Sequence, residues 1–361
     1  MVQETAADIR VSQPELLELV TAIFKSSGMT DQDAHLLADT LVTADLEGVN
    51  SHGVLRVPEY CKKLTVDGVN PAGRPGTIRD MGACMVIDGA NSMGQIGMSF
   101  AMERVIERAT DTGIAAAAIR GSNHSGAMSY YVRMAVEHDM IGIATTNALP
   151  TMAPIGGAER VLGINPVAYG IPAGDEHAII YDAAFAGSAH GKLRVHAQKG
   201  LPIPEGWALD SDGQPTTDPV KAVNGLLMPI GGHKGAGMAM VMGILSSMLS
   251  GAAYGTELGN MEDGPRPGMD GHFVAAINIA AFEDINRFKS RVDKAIREIH
   301  NVKKAPGVDR TYFPGEPEAI KRKDYLANGI PLNPVTLGDI ASTAKTMKVK
   351  TTKYKWLPKA P

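Results

Sequence analysis

The chain has 361 residues, of which 44% are hydrophobic, so it is long enough to bury a sizeable core and to form two or three lobes. Its 35 basic and 39 acidic residues give a net charge of -4, which argues against a nucleic-acid partner because such partners normally require a basic surface. Two cysteines are too few for a disulfide framework, and residues 1–15 show no cationic segment followed by an apolar run. We therefore expect a cytoplasmic protein without a signal peptide.

The first predicted elements are two helices. Residues 12–15 read SQPE, which is typical of a capping box, and they open the segment "PELLELVTAIFKSSG" with Pro14 in the first turn. Residues 30–33 read TDQD and open "DAHLLADTLVTADLEG", in which apolar residues recur at helical spacing until Gly48, the expected stop. The residues SHG at 51–53 then lie in the turn that leaves the second helix.

Short apolar strands alternate with helices from about residue 75. We predict strands in "CMVIDGA", "IAAAAIRG" and "MIGIATTNA", and helices in "MGQIGMSFAMERVIERATDTG" and "GAMSYYVRMAVEHD". This order predicts α/β architecture with a partly parallel sheet. Residues 160–230 are rich in proline and glycine, so we expect a loop-rich region there, wrapped around two short strands in "VAYGIPA" and "HAIIYDAA".

The C-terminal third contains one long apolar segment, "GAGMAMVMGILSSMLSGAAYG". It is short for a membrane span and contains serine and glycine, so we predict a buried core helix. "GHFVAAINIAAF" predicts a late strand, and "DINRFKSRVDKAIREIHNV" predicts an amphipathic helix. The basic end of the chain is predicted to be a frayed, solvated tail.

Several common site motifs are missing from the chain. No G-x-G-x-x-G follows a strand, and "GSAHGKL" has the wrong glycine spacing for a P-loop, with Leu193 where Ser or Thr should bind magnesium. The ten histidines are scattered and neither H-E-x-x-H nor C-x-x-C occurs. We therefore expect no Rossmann fingerprint, no P-loop and no metal site.

A first candidate site is "NSHGVLRVPEY", which contains Ser51, His52, Arg56 and Tyr60. Pro58 fits a helix only within its first turn, so His52 is predicted to lie just before a helix that starts near residue 55 or 56. An imidazole can move a proton near neutral pH, and a guanidinium one turn away can hold a carboxylate. The alternative interpretation is an N-cap serine followed by a surface histidine and arginine.

The second candidate is "IRGSNHSG", in which a small-residue strand ends at Gly121 and a polar turn carries His124. A helix is predicted to start at about Gly126, and its free N–H groups could hold an anion such as a phosphate beside His124. Polar turns between strand and helix are common in α/β proteins, so a purely structural turn is the alternative.

The third candidate is "PIGGHKGAG", directly before the apolar helix. Its glycines, including Gly231, Gly232 and Gly235, allow close backbone approach to a ligand, and Lys234 offers a partner for a phosphate. The alternative is a tight turn with a solvent-facing lysine.

Asp182 is the fourth candidate, because it ends the apolar strand of "AIIYDAAF". A carboxylate in that place could orient His52 or a ribose hydroxyl. Strand-end aspartates are also frequent turn formers, so both interpretations stay open.

Five motifs occur together in this order: "ADLEGVNSHGVLR", "SNHSG", "GINPVAYGIP", "IPEGWALDSDGQPTTDP" and "PIGGHKGAGMAM". In combination they resemble the malate/L-lactate dehydrogenase family of the L-sulfolactate dehydrogenase-like type, from about residue 12 to 340. The resemblance implies an α/β, non-Rossmann fold with mixed sheets, in which the whole chain is one family unit. It further implies a helical lobe from residues 1–75 and about 300–361, beside α/β nucleotide-binding and substrate lobes in residues 76–299.

The resemblance also implies an activity. Family members are NAD(P)-dependent oxidoreductases, typically homodimers, that act on small 2-oxo or 2-hydroxy acids, and they include ureidoglycolate dehydrogenase, diketogulonate reductase and piperideine-2-carboxylate reductase. We therefore expect a small carboxylate substrate, NAD or NADP as cofactor, and no membrane or nucleic-acid partner. The alternatives are reduction of cyclic imino acids, a metal-dependent lyase or hydrolase, and a binding protein without catalysis.

Roles for individual residues follow from the same resemblance. His52 resembles the acid/base histidine, with Ser51 and Asp182 as relay partners, and Arg56 and Tyr60 belong to the substrate side. His124 resembles the histidine beside the nicotinamide, which is the proton acceptor in some members. The implied cofactor contacts are Asn123, His124, Ser125, Gly126, Asp182, His233, Lys234, Gly235, Pro314, Gly315 and Glu316.

Two segments depart from the family pattern. Members often have D-M-A-T-S after the strand, where this chain reads "DAAFAGSAHGK" from Asp182 onward. They also often have G-T-N-P, where this chain has Ile164. Both changes replace hydroxyl side chains near the implied cofactor and substrate contacts.

Overall fold

The computed structural model of the protein describes residues 8–260 and 264–360. Its α-helices are α1 (Gln13–Ser26), α2 (Asp31–Leu46), α3 (Val57–Thr65), α4 (Gly94–Thr112), α5 (Ser129–Glu137), α6 (His190–Lys199), α7 (Pro219–Asn224), α8 (His233–Ser246), α9 (Ile285–His300), α10 (Glu316–Asn328) and α11 (Pro334–Thr346). Single turns of 3-10 helix span Asn50–His52, Val54–Arg56, Gly255–Leu258 and Ile279–Ala281.

Most strands are short. They are β1 (Ile9–Val11), β2 (Gly76–Asp80), β3 (Cys84–Asp88), β4 (Ile114–Ser122), β5 (Met140–Thr146), β6 (Pro150–Met152), β7 (Leu162–Gly163), β8 (Val167–Ile171), β9 (Ile179–Ala183), β10 (Ala208–Leu209), β11 (Pro215–Thr216), β12 (Leu226–Leu227), β13 (Gly259–Asn260), β14 (Gly264–Pro265), β15 (Asp270–Asn278) and β16 (Ile330–Leu332). The predicted strands and long helices are confirmed. Residues 160–230 are loop-rich and contain the two expected strands as β8 and β9, but α6, α7 and four two-residue strands, which the sequence did not predict, also form there.

Local sequence signals set the first two helices. The Thr30 side chain accepts a hydrogen bond from the Asp33 N–H at 3.3 Å, as an N-cap should, and Gly48 takes a positive φ of 70° after α2. The capping box predicted at Ser12 is wrong, because the Ser12 hydroxyl instead donates to the Glu15 carboxylate at 2.7 Å.

The main sheet has seven strands in the order β2-β3-β4-β15-β5-β8-β9. Within this sheet only the β3–β4 pair, which is connected through α4, is parallel. The late strand β15 lies between β4 and β5 and is antiparallel to both. The alternation of strands and helices predicts β4 and β5 as neighbours, but β15, which is distant in the chain, lies between them. Parallel pairing in the main sheet is therefore confined to β3 and β4.

Three hydrophobic clusters fill the structure. One packs α1, α2 and α3 with α11 and with residues near the C-terminus, where Tyr354 is buried. The second places α4 and α5 on the main sheet, and the third packs residues of α6, α7 and α8 with the smaller sheet of β6, β7, β10, β11 and β12. The predicted frayed tail is wrong in its middle part, since Tyr354 belongs to the first core and Lys353 pairs with Glu18.

Helix α8 is only partly the buried helix that its composition predicts. Its small residues Gly235, Ala239 and Gly243 are buried, whereas Met240 and Val241 are about half exposed. Across residues 8–260 and 264–360, no helix has the length and apolarity that crossing a membrane requires.

Candidate active site

The SHG turn is shaped by a buried carboxylate of α2. Two consecutive 3-10 turns carry Ser51, His52 and Arg56, and α3 begins at Val57 with Pro58 in its first turn, as predicted. Between them the Val54 N–H donates to Asp45 Oδ2 at 2.7 Å. A Cβ at residue 53 would overlap the Asp45 carboxyl group, so the turn requires glycine there.

The two predicted histidines meet, although 72 positions separate them (124 minus 52). Their rings stack with centroids 5.9 Å apart and an interplanar angle of 18°. On one side Ser51 Oγ lies 2.9 Å from Nδ1 of His52, and on the other Tyr60 Oη lies 2.6 Å from Nδ1 of His124. The first and second candidate motifs therefore form one site.

Burial keeps both histidines neutral near pH 7. It lowers the pKa of His52 to about 4, an effect that the nearby Arg56 charge increases and the Glu59 charge opposes. Burial likewise lowers the pKa of His124 well below its ordinary value, and the charge of Arg56 adds to this.

Arg56 and Tyr60 differ in how far they can reach a ligand. Arg56 is partly exposed and donates from Nε to the Ser51 carbonyl at 2.8 Å and from Nη1 to Glu59 at 2.6 Å. Tyr60 is 0% exposed, and its hydroxyl contacts His124 and the Gln95 amide, so it supports the histidine instead of lining open space.

The turn that carries His124 has a carboxylate of the protein itself at the place predicted for a bound anion. Helix α5 starts at Ser129, three residues later than predicted. Its Ser129 N–H donates to Asp182 Oδ2 at 2.8 Å, so a carboxylate from β9 already occupies the helix start. Burial raises the pKa of Asp182, while its hydrogen bonds with Ser129 act in the opposite direction. The expected anion is thus a side chain of the protein itself.

A cavity of about 430 Å³ joins the SHG turn, the start of α5, the end of β9 and the loop before α10. Its polar walls contain an ion pair of 3.0 Å between Arg133 and the buried Glu47. It is lined by Glu47, Val49, Ser51, His52, Gly126, Ala127, Met128, Ser129, Arg133, Ile164, Pro166, Ile180, Tyr181, Asp182, Ala183, Ala184, Phe313, Pro314, Gly315, Pro317 and Glu318. Of the residues expected to contact a cofactor, Gly126, Asp182, Pro314 and Gly315 line this cavity.

Other expected cofactor residues have different surroundings. The Asn123 amide donates to the Ser92 carbonyl at 2.8 Å and accepts from the Gly268 N–H at 3.0 Å, so it holds loops together. Ser125 is buried. Glu316 is 2% exposed and pairs with Arg310 and with His300, the latter at 3.0 Å, so its carboxylate anchors the loop instead of facing the cavity.

The third candidate motif lies apart from this cavity. His233 and Lys234 are exposed at the start of α8, and Gly235 packs so tightly on the Ile230 carbonyl that a Cβ would overlap it. The preceding turn is nevertheless bonded to the segment after Asp182, because the Ile230 N–H donates to the Phe185 carbonyl at 2.9 Å.

Several buried polar residues of the site carry no sequence signal of their own. Asp45 supports the SHG turn, and Gln95 contacts Tyr60. His272 on β15 bridges its neighbouring strands through Thr146 Oγ1 and Ser122 Oγ, each at 2.7 Å, and burial lowers its pKa to about 3. The partners of Gln95 and His272 are distant in the chain, so only the fold reveals those contacts. Within the described ranges no cluster of three or more His, Cys, Asp or Glu residues could hold a metal ion.

Comparison with known proteins gives consistent similarities over nearly the whole chain. Residues 11–341 match the family described as malate/L-lactate dehydrogenase. The chain is 37% identical over 350 residues to malate dehydrogenase of Pyrococcus abyssi, covering 95% of this chain and 96% of that one. It is 33% identical over 326 residues to ureidoglycolate dehydrogenase (NAD(+)) of Escherichia coli, with coverages of 89% and 92%. The solved structure of sulfolactate dehydrogenase from Methanocaldococcus jannaschii superposes with a TM-score of 0.88 at 34% identity, covering 95% and 98% of the two chains.

Proposed function

The chain belongs to the malate/L-lactate dehydrogenase family, and we propose that it interconverts a small 2-hydroxy acid and its 2-oxo acid in the cavity beside His52. Membership makes it an NAD(P)-dependent oxidoreductase, since its relatives include malate, sulfolactate and ureidoglycolate dehydrogenases. The observation that carries the proposal is that His52 and Asp182 line the same cavity while His124 stacks on His52.

His52 is the proton-transfer group in this proposal. With its pKa lowered to about 4, it is neutral at physiological pH and can accept the hydroxyl proton of a 2-hydroxy acid. The Ser51 hydroxyl lies 2.9 Å from Nδ1 and orients the ring, because its oxygen can accept a hydrogen bond from the Nδ1–H group. Nε2 is then the basic atom.

Arg56 does not line the cavity itself but is bonded to Ser51, which does, and in this proposal it holds the substrate carboxylate at the cavity edge. The Ser51 carbonyl and Glu59 use two of the five N–H groups of its guanidinium. We assign the remaining groups to a bidentate contact with the carboxylate, which fixes the position of C2 relative to His52.

The residues around Asp182 suit a nicotinamide dinucleotide. The Ile180 N–H of β9 donates to the Pro314 carbonyl at 3.0 Å, and Gly315, with φ +88°, lies where any side chain would overlap Ile180. These contacts hold β9 against the loop before α10. Asp182 lies two residues after Ile180 on the same strand, and the oxygens of its carboxylate are acceptors for ribose hydroxyls. When bound, the cofactor supplies or takes up the hydride at C2 of the substrate. Either NAD or NADP satisfies the proposal.

Ligand-induced stabilisation tests this function first. A cofactor present at 100 times its Kd should raise the free energy of unfolding by about 2.7 kcal/mol, so at least one of NAD+, NADH, NADP+ and NADPH should raise the Tm. The cofactor that binds should then undergo an absorbance change with one member of a panel of 2-hydroxy acids, 2-oxo acids and cyclic imino acids.

The matched control for this experiment is His52→Gln, which should keep the Tm shift and lose the absorbance change. No stabilisation by any nicotinamide cofactor would overturn the proposal. If the protein turns over only cyclic imino acids, the proposed reaction at a CH–OH group would be replaced by one at a CH–NH group.

We further propose a cytoplasmic homodimer. The exposed apolar side chains of α8, among them Met238, Met240 and Val241, form a surface suited to a second copy of the chain. The free cysteines, Cys61 and the exposed Cys84, fit a reducing compartment. Light scattering on the wild type and on Met240→Glu should give a dimer and a shift toward monomer, respectively, and a monomeric wild type would contradict the assembly.

A further inference from the structure

The Nδ1 atom of His124 receives two hydrogen-bonding groups. Tyr60 Oη lies 2.6 Å from it, and the Gly126 N–H points at it from 3.3 Å. A backbone N–H can only donate, so Nδ1 must offer a lone pair to Gly126. The neutral ring then carries its proton on Nε2.

The hydroxyl of Tyr60 has the matching orientation because of Gln95. Gln95 is the second residue of α4 and is 0% exposed, and its amide Nε2 donates to Tyr60 Oη at 3.2 Å. A phenol has one proton, and with the amide donating to its oxygen, that proton points toward His124. Gln95 therefore acts on His124 through Tyr60.

The position of the Gln95 amide is itself constrained. Gly126 has a φ of +74°, and a Cβ there would lie 3.2 Å from Nε2 of Gln95. The start of α4 also packs on this turn, since a Cβ at Gly94 would overlap the Asn123 carbonyl. The close packing of α4 on the turn keeps the amide, the phenol and the imidazole in one line of contacts.

We propose that Gln95 is a positioning residue which, with Tyr60 and the Gly126 N–H, holds His124 as the neutral Nε2–H tautomer. His124 then donates a hydrogen bond from Nε2 to the C2 oxygen of the substrate, and His52 accepts the proton. The assignment of the substrate oxygen rests on the function proposed above, whereas the tautomer is a property of the protein alone.

The charges around His124 act in the same direction. The permanent charges of Arg56 from the 3-10 turns and Lys63 from α3 lower its pKa in addition to burial, and His52 and His272 from β15 lower it further when they are protonated. The carboxylates near Tyr60, which are Glu59 and Asp270, act on the pKa of the phenol, and burial raises the pKa of Asp270 to about 7. An imidazolium at His124 would require a proton on Nδ1 facing the Gly126 N–H, so the contacts oppose it as well.

Nitrogen NMR of the full-length protein tests the tautomer without substrate or cofactor. Long-range 1H–15N correlations of 15N-histidine-labelled protein distinguish protonated from unprotonated ring nitrogens, and His124→Gln assigns the resonances. We expect His124 to show protonated Nε2 and unprotonated Nδ1, unchanged from about pH 5.5 to 8. A proton on Nδ1, or titration within that range, would overturn the proposal.

Gln95→Glu tests the role of the amide by reversing the direction of the hydrogen bond between residue 95 and Tyr60. Above about pH 9, beyond the range of about 8–9 to which burial can raise a glutamate pKa, the group is a carboxylate and can only accept, so the Tyr60 hydroxyl should turn toward residue 95. The phenol oxygen then faces Nδ1 as an acceptor, and we expect the Nδ1–H tautomer to be populated and kcat to fall about 100-fold, as when a catalytic hydrogen-bond donor is lost.

Gln95→Met is the matched control, because it keeps the length of the side chain and cannot accept from Tyr60 as a carboxylate does. It should retain the Nε2–H pattern through Gly126 and lose less activity than Gln95→Glu. Identical nitrogen patterns in Gln95→Glu and the wild type would refute the positioning role. If the Gln95→Glu chain fails to fold, Tyr60→Phe removes the same link, and a fall in kcat with unchanged cofactor-induced Tm shift is expected.

These outcomes are separate from those of the proposed function. The wild-type spectrum can confirm or refute the tautomer in a protein that turns over none of the acids offered. Conversely, a protein that oxidises 2-hydroxy acids but carries a proton on Nδ1 of His124 would retain the function and lose this inference.

Discussion

Two turns of this protein combine histidine with glycine and lead into a helix, yet their surroundings are opposite. The turn before α5, residues 121–128, contacts the sheet, α3 and α4, and its helix start is closed by the Asp182 carboxylate. The turn before α8, residues 229–232, ends in an N-cap glycine without a side-chain cap, followed by exposed His233 and Lys234. Similar composition thus gives a largely buried turn packed against other elements in one case and an exposed turn, here called the open turn, in the other.

The difference shows that burial, and not the motif, determines what such a turn can do. On the buried side, desolvation changes the pKa values of His52, His124 and Asp182 and makes each hydrogen bond consequential. On the exposed side, water competes for every contact, so an ionic contact with a ligand is weak and sensitive to salt. Substitutions on the two sides should therefore differ strongly in effect.

The largest effect is expected for His52→Gln. Glutamine can still form a hydrogen bond but cannot accept the substrate proton, so kcat should fall by about 10²- to 10⁴-fold. Steady-state kinetics with the best acid of the panel measures this loss, and the cofactor-induced Tm shift should remain.

His233→Gln, on the open turn, is the comparison for that measurement. It should change kcat by less than about twofold, because an exposed histidine outside the cavity is not in place to exchange a proton with the substrate. Equal losses in the two variants would mean that the cavity beside His52 is not the reaction site.

A second large effect concerns the pH dependence of stability. Burial raises the pKa of Asp45 to about 7, while the hydrogen bond from Val54 opposes this. A raised folded-state pKa adds stability that is complete below the ordinary value of 3.8 and is lost as pH rises through about 7. Asp45→Asn keeps an acceptor for the Val54 N–H without ionising, so its free energy of unfolding should fall less between about pH 4 and 7.

Urea unfolding at several pH values in that range measures the effect. Each unit of pKa change is worth about 1.4 kcal/mol, which limits the difference between the two proteins to a few kcal/mol. Asp270, whose pKa burial also raises, is present in both proteins and cancels in the comparison. Parallel curves for the wild type and Asp45→Asn would show that Asp45 does not contribute to the pH dependence.

A smaller effect is expected for Asp182→Ala, which removes the carboxylate at the start of α5. Loss of an N-terminal cap costs about 1 kcal/mol of stability, and the proposed ribose contact is lost at the same time. Asp182→Asn should recover the stability, since its amide oxygen still accepts from Ser129, while binding the cofactor less tightly than the wild type. Chemical denaturation measures the capping role and cofactor titration measures the ribose contact. If Asp182→Asn matches the wild type in both stability and cofactor affinity, the charge of Asp182 has no function in either role.

Much of this fold could be predicted because its signals are local. The helices α1, α2 and α9 follow from apolar spacing, and the strands β3, β4 and β5 follow from short apolar runs bounded by glycine or polar residues. The neighbourhood of β15 could not be predicted, since the placement of a strand between β4 and β5 depends on packing between segments more than 100 residues apart.

The same reason explains what could be predicted in the site. His52 and His124 stand out because each lies in a polar turn beside glycine. The residues that hold them do not stand out: Gln95 meets Tyr60 across 35 positions, and His272 meets Ser122 across 150. Glutamine within a helix and histidine within a strand have no periodic or spacing signal that reveals a partner.

The smallest effect, and the sharpest test of the open turn, is expected for Lys234→Met. If Lys234 contacts a phosphate of the cofactor, an exposed ionic contact of about 0.2–1 kcal/mol predicts a rise in Kd of about 1.4- to fivefold at low salt, with kcat at saturating cofactor unchanged. The difference should shrink at high salt, because screening weakens exposed charges. Lys221→Met, at another exposed lysine, is the control and should leave Kd unchanged. If Lys234→Met leaves Kd unaltered at low salt, Lys234 does not contact the cofactor, and ligand binding is confined to the cavity beside His52 and Asp182.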